Sequence, residues 1–113
     1  MFELPLPETT NQTYRSGKRG WYKSEKQTSW EQKAGWMLKK QMRESRVYGD
    51  TSLCMGITFF VKKDRDIDGG IKAILDLFER MGFYDNDSQV VHLNVKKFVD
   101  KKNPRCEVEI KQV

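Results

Sequence analysis

Two aspartates, Asp66 and Asp68, stand two residues apart in the run VKKDRDIDGG (61–70). On an extended segment that spacing sends both carboxylates to one side of the chain. Carboxylate oxygens with no histidine or thiolate beside them suit hard cations such as Mg²⁺, which keep several waters and bridge to phosphate oxygens. Asp85 or Asp87, in the turn Asp85-Asn86-Asp87, could add a further ligand. Lys72 follows Asp68 by one helical turn, within reach of a scissile phosphate or a leaving oxygen. The chemistry these groups fit is metal-assisted phosphodiester hydrolysis, in which a cation activates water and neutralises developing charge. The plainer reading of the same spacing is a solvated acidic loop whose Asp68 merely caps a helix, because carboxylates favour helix starts anyway. Spacing alone leaves both open.

The charge distribution bears on the choice. The 113 residues carry a net charge of +5. Residues 1–48 hold ten Lys/Arg against five Asp/Glu, whereas 49–113 hold eleven of each. Within the second part, 64–87 carries Asp64, Asp66, Asp68, Asp76, Glu79, Asp85 and Asp87 against three basic residues. An acidic island inside a basic chain suits a protein that attracts a polyanion and holds a cation where the polyanion lands.

The elements that must position these groups follow from periodicity. Phe2 to Leu6 reads as a short first strand, and 8–23 as a loop rich in Thr, Gly and basic residues, with Tyr14, Trp21 and Tyr22 interleaved. Ser24-Glu25-Lys26-Gln27 reads as a capping box opening a helix to about Ser45, with Trp30, Ala34, Met37, Leu38 and Met42 as its apolar stripe. Residues 52–62 alternate, with Leu53, Met55, Ile57, Phe59 and Val61 on one face. Asp68 then precedes a helix over about 70–81 that buries Ile71, Ile74, Leu75, Phe78 and Met81 and ends at Gly82. Gln89–Val99 and Arg105–Val113 read as two strands paired in a hairpin through 100–104. The order β-α-β-α-β-β predicts one two-layer α+β domain over 1–113 with a mixed sheet. Thirteen aromatic residues can anchor its core despite a mean hydropathy of −0.78.

Other classes are disfavoured. The longest uncharged stretch, 51–61, is far short of the roughly 20 apolar residues a bilayer helix needs, so no membrane partner is expected. The opening MFELPLPETT lacks a basic and apolar leader, so no secretory signal is expected, and Cys54 and Cys106 read as reduced, buried thiols. His92 is the sole histidine, which disfavours structural zinc and a histidine general base, and its place on a strand makes it read as a structural residue. Without a Gly-rich phosphate loop or a Ser-His-Asp set, a nucleotide cofactor and acyl transfer are not expected.

RDIDGGIKAILDLFERMGFYDNDSQVVHLNVKKF (65–98) resembles the core of RusA-type Holliday-junction resolvases: an Arg-Asp-x-Asp pair, a Lys-containing helix, a Gly-Phe turn and an Asp-x-Gln-Val entry into a strand. LPLPETTNQTYR (4–15) is similar to that family's Pro-x-x-x-Asn-x-x-Tyr-Arg opening. The resemblance implies a homodimeric, Mg²⁺-dependent endonuclease, with Mn²⁺ as a substitute, that cuts four-way DNA junctions by paired symmetric nicks in recombination and repair. It also implies a phage or prophage origin and a bacterial cytoplasm. It makes Asp66, Asp68 and Asp87 the metal-site aspartates, Lys72 the catalytic lysine and Arg65 a basic residue beside the metal. Two departures stand out: Gly69-Gly70 replaces an Asn-Leu-type pair, which points to a looser helix start, and Asp85-Asn86-Asp87 replaces an Asp-Asp pair.

Branched DNA as the partner gives the basic aromatic segment a role, with Arg15, Lys18, Arg19 and Lys23 on phosphates and Tyr14, Trp21 or Tyr22 stacking on opened bases. The bland alternative is aromatics packed on the sheet and lysines of 96–105 as a solvated hairpin tip. Geometry raises a difficulty: in an ordinary parallel crossover Asp66 and Asp87 lie at opposite ends of a helix roughly 18 Å long, so either the turn folds back or Asp87 comes from a second subunit. Rival functions are a nuclease for other branched DNA, or a junction-binding module without catalysis.

Overall fold

The alternation read at 52–62 produces the strand that organises the molecule. In the computed structural model Leu53, Met55, Ile57, Phe59 and Val61 are all buried, while Cys54, Gly56, Thr58 and Phe60 between them are half-buried on the opposite face. Burying each such apolar side chain contributes roughly 1.5–3 kcal/mol, so this one strand face is a large part of what drives folding. The structure describes residues 1–7, 14–17, 20–23, 25–41, 48 and 50–113, with backbone only at 14–17, 20–23, 25–27 and 68.

The elements are β1 (Phe2–Leu4), β2 (Tyr14–Gly17), β3 (Gly20–Lys23), α1 (Glu25–Gln41), β4 (Leu53–Val61), α2 (Asp68–Arg80), a 3₁₀ turn (Asp87–Gln89), β5 (Val90–Val99) and β6 (Arg105–Gln112). The fold is α+β, with a mixed four-stranded sheet in the order β1-β6-β4-β5. β4 runs parallel to β5 and antiparallel to β6, and β1 is antiparallel to β6. The hairpin expected between the last two strands is therefore not formed. β5 and β6 flank β4 on opposite sides, and 100–104 carries the chain over the end of β4, where the Asp100 N–H donates to the Val61 carbonyl at 2.8 Å. The alternating β4 outcompetes a local pairing because it gives both neighbours an apolar partner: Phe60 stacks on Phe98 of β5 at 5.8 Å while the Arg105 guanidinium of β6 lies 3.8 Å from its ring centroid.

The segment 8–23, expected as a loop, contains a separate two-stranded sheet of β2 and β3, paired from Tyr14↔Lys23 to Gly17↔Gly20. Ser24, Met42 and Ser45, and with them the proposed capping box and the far end of that helix, lie outside the described residues. Within α1 the stripe holds: Trp30, Ala34 and Leu38 are buried and Met37 is packed against the core. Trp36 stands apart at 62 % exposure, its ring 3.7 Å from the Lys40 ammonium. Side-chain hydrogen bonds tie α1 to β1. Trp30 Nε1 donates to the Pro5 carbonyl at 2.9 Å, and the Gln41 amide both accepts from the Glu3 N–H and donates to the Glu3 carbonyl at 2.8 Å.

Both helices supply the core on the Leu53–Val61 face of β4, α1 through the residues above and α2 through Ala73, Ile74, Leu77 and Phe78. Phe78 and Phe83 pack at 4.8 Å between centroids, and Phe2 meets both edge-on. α2 ends as expected: Gly82 takes φ +83, the left-handed conformation a helix terminus favours, and its N–H donates to the Glu79 carbonyl. Among the described residues no helix is long and apolar enough to cross a membrane.

Candidate active site

The chain leaves β4 at Val61, crosses a loop over 62–67 and enters α2 at Asp68. Asp68 does not precede the helix, as the sequence suggested, but is its first residue. Ile67 occupies the cap position with no side-chain hydrogen bond to the helix. Asp66 is exposed in the loop. Lys72 lies one turn into α2, exposed, with its ammonium 3.6 Å from the Asp76 carboxylate. An exposed i,i+4 pair of this kind is worth only about 0.3–0.5 kcal/mol and is readily exchanged for another partner.

The loop is anchored from three sides. The Arg65 guanidinium donates through Nη2 to the Pro7 carbonyl at 2.6 Å, while its Nε is buried without a hydrogen-bond partner among the described residues. Lys97 of β5 sits 2.6 Å from the Asp64 carboxylate and donates to the Arg65 carbonyl at 3.0 Å. The hydrogen bond that Lys97 donates to Asp64, and next the Lys97 charge, hold the Asp64 carboxyl below its ordinary value. Gly70 is buried so closely that an added Cβ would lie 3.1 Å from the Phe59 ring and 3.3 Å from Pro7. The Gly-Gly helix start that looks loose in sequence is thus a tight contact.

Asp87 lies at the other end of α2, opening the 3₁₀ turn that feeds β5. Its N–H donates to the Glu79 carboxylate at 2.8 Å. Asn86 accepts from the Ser88 N–H, and Gln89 Oε1 accepts from the N–H groups of Asp85 and Asn86, a capping box. Gln89 also donates to the Thr51 carbonyl at 2.8 Å, docking the turn on the approach to β4. The pattern Asn86-x-x-Gln89 carries this box visibly in the sequence. Beneath it Tyr84 is buried and donates to the Leu75 carbonyl at 2.6 Å. Burial first, then the charges of Asp87, Glu79 and Asp76, raise its phenol well above the ordinary range.

The described structure therefore brings Asp66, the start of α2 and Lys72 together and keeps Asp87 away. Thirteen residues of α2 separate them, about 20 Å of helix. Among the described residues no group of three or more His, Cys, Asp or Glu side chains is close enough to hold a metal ion. Of the residues expected on DNA, Arg15 falls in β2 and Lys23 ends β3, while Lys18 and Arg19 lie outside the described residues. His92, expected to be structural, is exposed on the face of the sheet away from the helices, beside Cys54 and Asn94, at the far end from Asp66. Glu79 and Lys97 enter the sequence reading only as members of an acidic run and a basic run, because each acts on backbone that only the fold brings near.

The family described as Endodeoxyribonuclease RusA matches residues 5–111, nearly the whole chain. The chain belongs to this family, and is an endodeoxyribonuclease. It is similar to the crossover junction endodeoxyribonuclease RusA of Aquifex aeolicus (strain VF5), with 25 % identity over 99 residues, 88 % of this chain and 78 % of that protein.

Proposed function

We propose that this chain is a Mg²⁺-dependent, homodimeric endonuclease that resolves four-way DNA junctions by paired symmetric nicks. Family membership across 5–111 supports the nuclease chemistry, and the placement of Asp66, Asp68 and Lys72 around one helix start supports the residues. The donor set is all carboxylate, which fits a hard divalent cation. Asp66 and Asp68 hold that cation, Lys72 meets the scissile phosphate, and Arg15, Lys18, Arg19, Lys23 and Arg65 contact the DNA backbone. The cation, when bound, supplies charge neutralisation and an activated water.

Asp87 joins this centre from a second copy. The topology supports the idea: β5 is an edge strand, and it exposes Val91, Leu93 and Val99. A ten-residue edge with exposed apolar side chains and unpaired backbone groups invites pairing with another strand. Two copies of β5 paired antiparallel about a two-fold axis put the start of one, where Asp87 lies, beside the end of the other. At that end Lys97 holds the loop that leads to Asp66. Two strand spacings, about 10 Å, then replace the length of a helix. Symmetric cutting of a two-fold junction also needs two centres, which such a dimer supplies.

A labelled synthetic junction tests the reading. Wild type nicks opposing strands symmetrically in Mg²⁺, and Asp66→Asn binds the junction without nicking it. Junction binding with no cleavage by wild type under any divalent metal leaves a binding module instead. Cleavage of forks or flaps in preference to junctions leaves a nuclease of different specificity.

A further inference from the structure

Lys96 and Lys97 look alike in sequence, two lysines of a basic strand, and a phosphate contact is the obvious use for both. The fold separates them. Lys97 is paired with Phe59, whose side chain is buried on the helix side of the sheet, whereas Lys96 is paired with Thr58 on the open side. From there Lys97 reaches the loop between β4 and α2, where two acceptors, the Asp64 carboxylate at 2.6 Å and the Arg65 carbonyl at 3.0 Å, already occupy its ammonium. Both belong to residues immediately before Asp66.

We propose that Lys97 is a positioning residue for the metal loop, holding the backbone ahead of Asp66 by binding Asp64 and the Arg65 carbonyl at once. This rests on the reading of Asp66 as a metal ligand. The other anchors do not make it redundant. The Arg65 guanidinium fixes the loop to Pro7 on the β1 side, and Gly70 fixes the start of α2 to Phe59, so Lys97 is the tie to β5. A compact ammonium with three donors can satisfy a carboxylate and a carbonyl lying in different directions. Asp64, an acid in an acidic island, is on this account no metal ligand but the lysine's partner. An exposed ion pair of this kind adds little to global stability, so its value lies in local order. Lys62 and Lys63 on the same loop are exposed and remain for phosphate.

The test compares wild type, Lys97→Met, Asp64→Asn and the double variant in three measurements. These are amide hydrogen exchange over 63–67 in metal-free protein, junction affinity and its salt dependence without metal, and the Mg²⁺ concentration that half-saturates nicking. Each single substitution speeds exchange in the loop and raises the Mg²⁺ requirement about tenfold, as loss of an outer partner of a metal site does. Junction affinity and its salt slope stay as in wild type, and the double variant is no worse than the more affected single, because one contact is removed twice. Unchanged exchange in both singles overturns the proposal. So does a weaker, less salt-dependent junction affinity in Lys97→Met alone, which would make Lys97 a phosphate contact. A wild type that never nicks, with exchange still faster in the variants, sinks the nuclease reading and leaves the clamp standing.

Discussion

Single side chains set the conditions under which the site exists. Cys106 is buried in β6 beneath the core, and burial, with the Glu107 charge second, pushes its thiol up to about 12. The folded state therefore holds the proton more tightly than the unfolded chain, whose thiol ionises near 9. Stability from this group is complete below pH 9 and is lost as the pH climbs from 9 toward 12, by up to about 1.4 kcal/mol per pH unit. Urea unfolding between pH 8 and 11 checks this. Cys106→Ala starts lower, because a small cavity is left, but declines less steeply, and parallel curves would show the thiol to be irrelevant. The same scale explains why the candidate ligands were legible in the sequence and their supports were not. Asp66, Asp68 and Lys72 are close along the chain, so a single motif carries them, and the family resemblance rather than spacing chooses the ligand reading over a solvated loop. Lys97 and Asp64 are 33 residues apart, and only the parallel pairing of β4 with β5 makes them neighbours.

At the level of elements, periodicity placed β4, α2 and the strands β5 and β6 to within a residue or two, since each has one face that must leave water. It failed where partners compete. The last two strands are separated by a short turn and look like a hairpin, yet each pairs with β4, the strand richest in buried side chains. It failed again at 14–23, where two four-residue strands carry too little alternation to stand out from a basic loop. The glycines in the first turn of α2 illustrate the opposite error, a weakness inferred where there is a close fit. Gly70→Ala should cost about 1–3 kcal/mol, as overpacking against Phe59 and Pro7 does. Chemical denaturation reads this directly, and a neutral result would mean that Pro7 yields freely.

The whole molecule poses one problem that no single element solves. An acidic pair and its lysine sit at the start of α2, the third aspartate sits beyond its end, and the helix between them is rigid. One copy thus holds the candidate ligands apart, Asp66 and Asp68 at one end of α2 and Asp87 beyond the other, and the edge strand β5 runs between the two ends. On the proposed reading, pairing two copies along that edge completes both centres at once. Sharing of the centre between subunits is thus the claim on which the enzyme reading depends most. Co-expressing Asp66→Asn and Asp87→Asn chains with different tags, and purifying the mixed dimer, tests it. That dimer keeps one intact set, Asp66 and Asp68 from one chain with Asp87 from the other, and nicks a four-way junction in Mg²⁺ although each variant alone is dead. A mixed dimer as inactive as its parents would place all three aspartates within one chain and contradict the account.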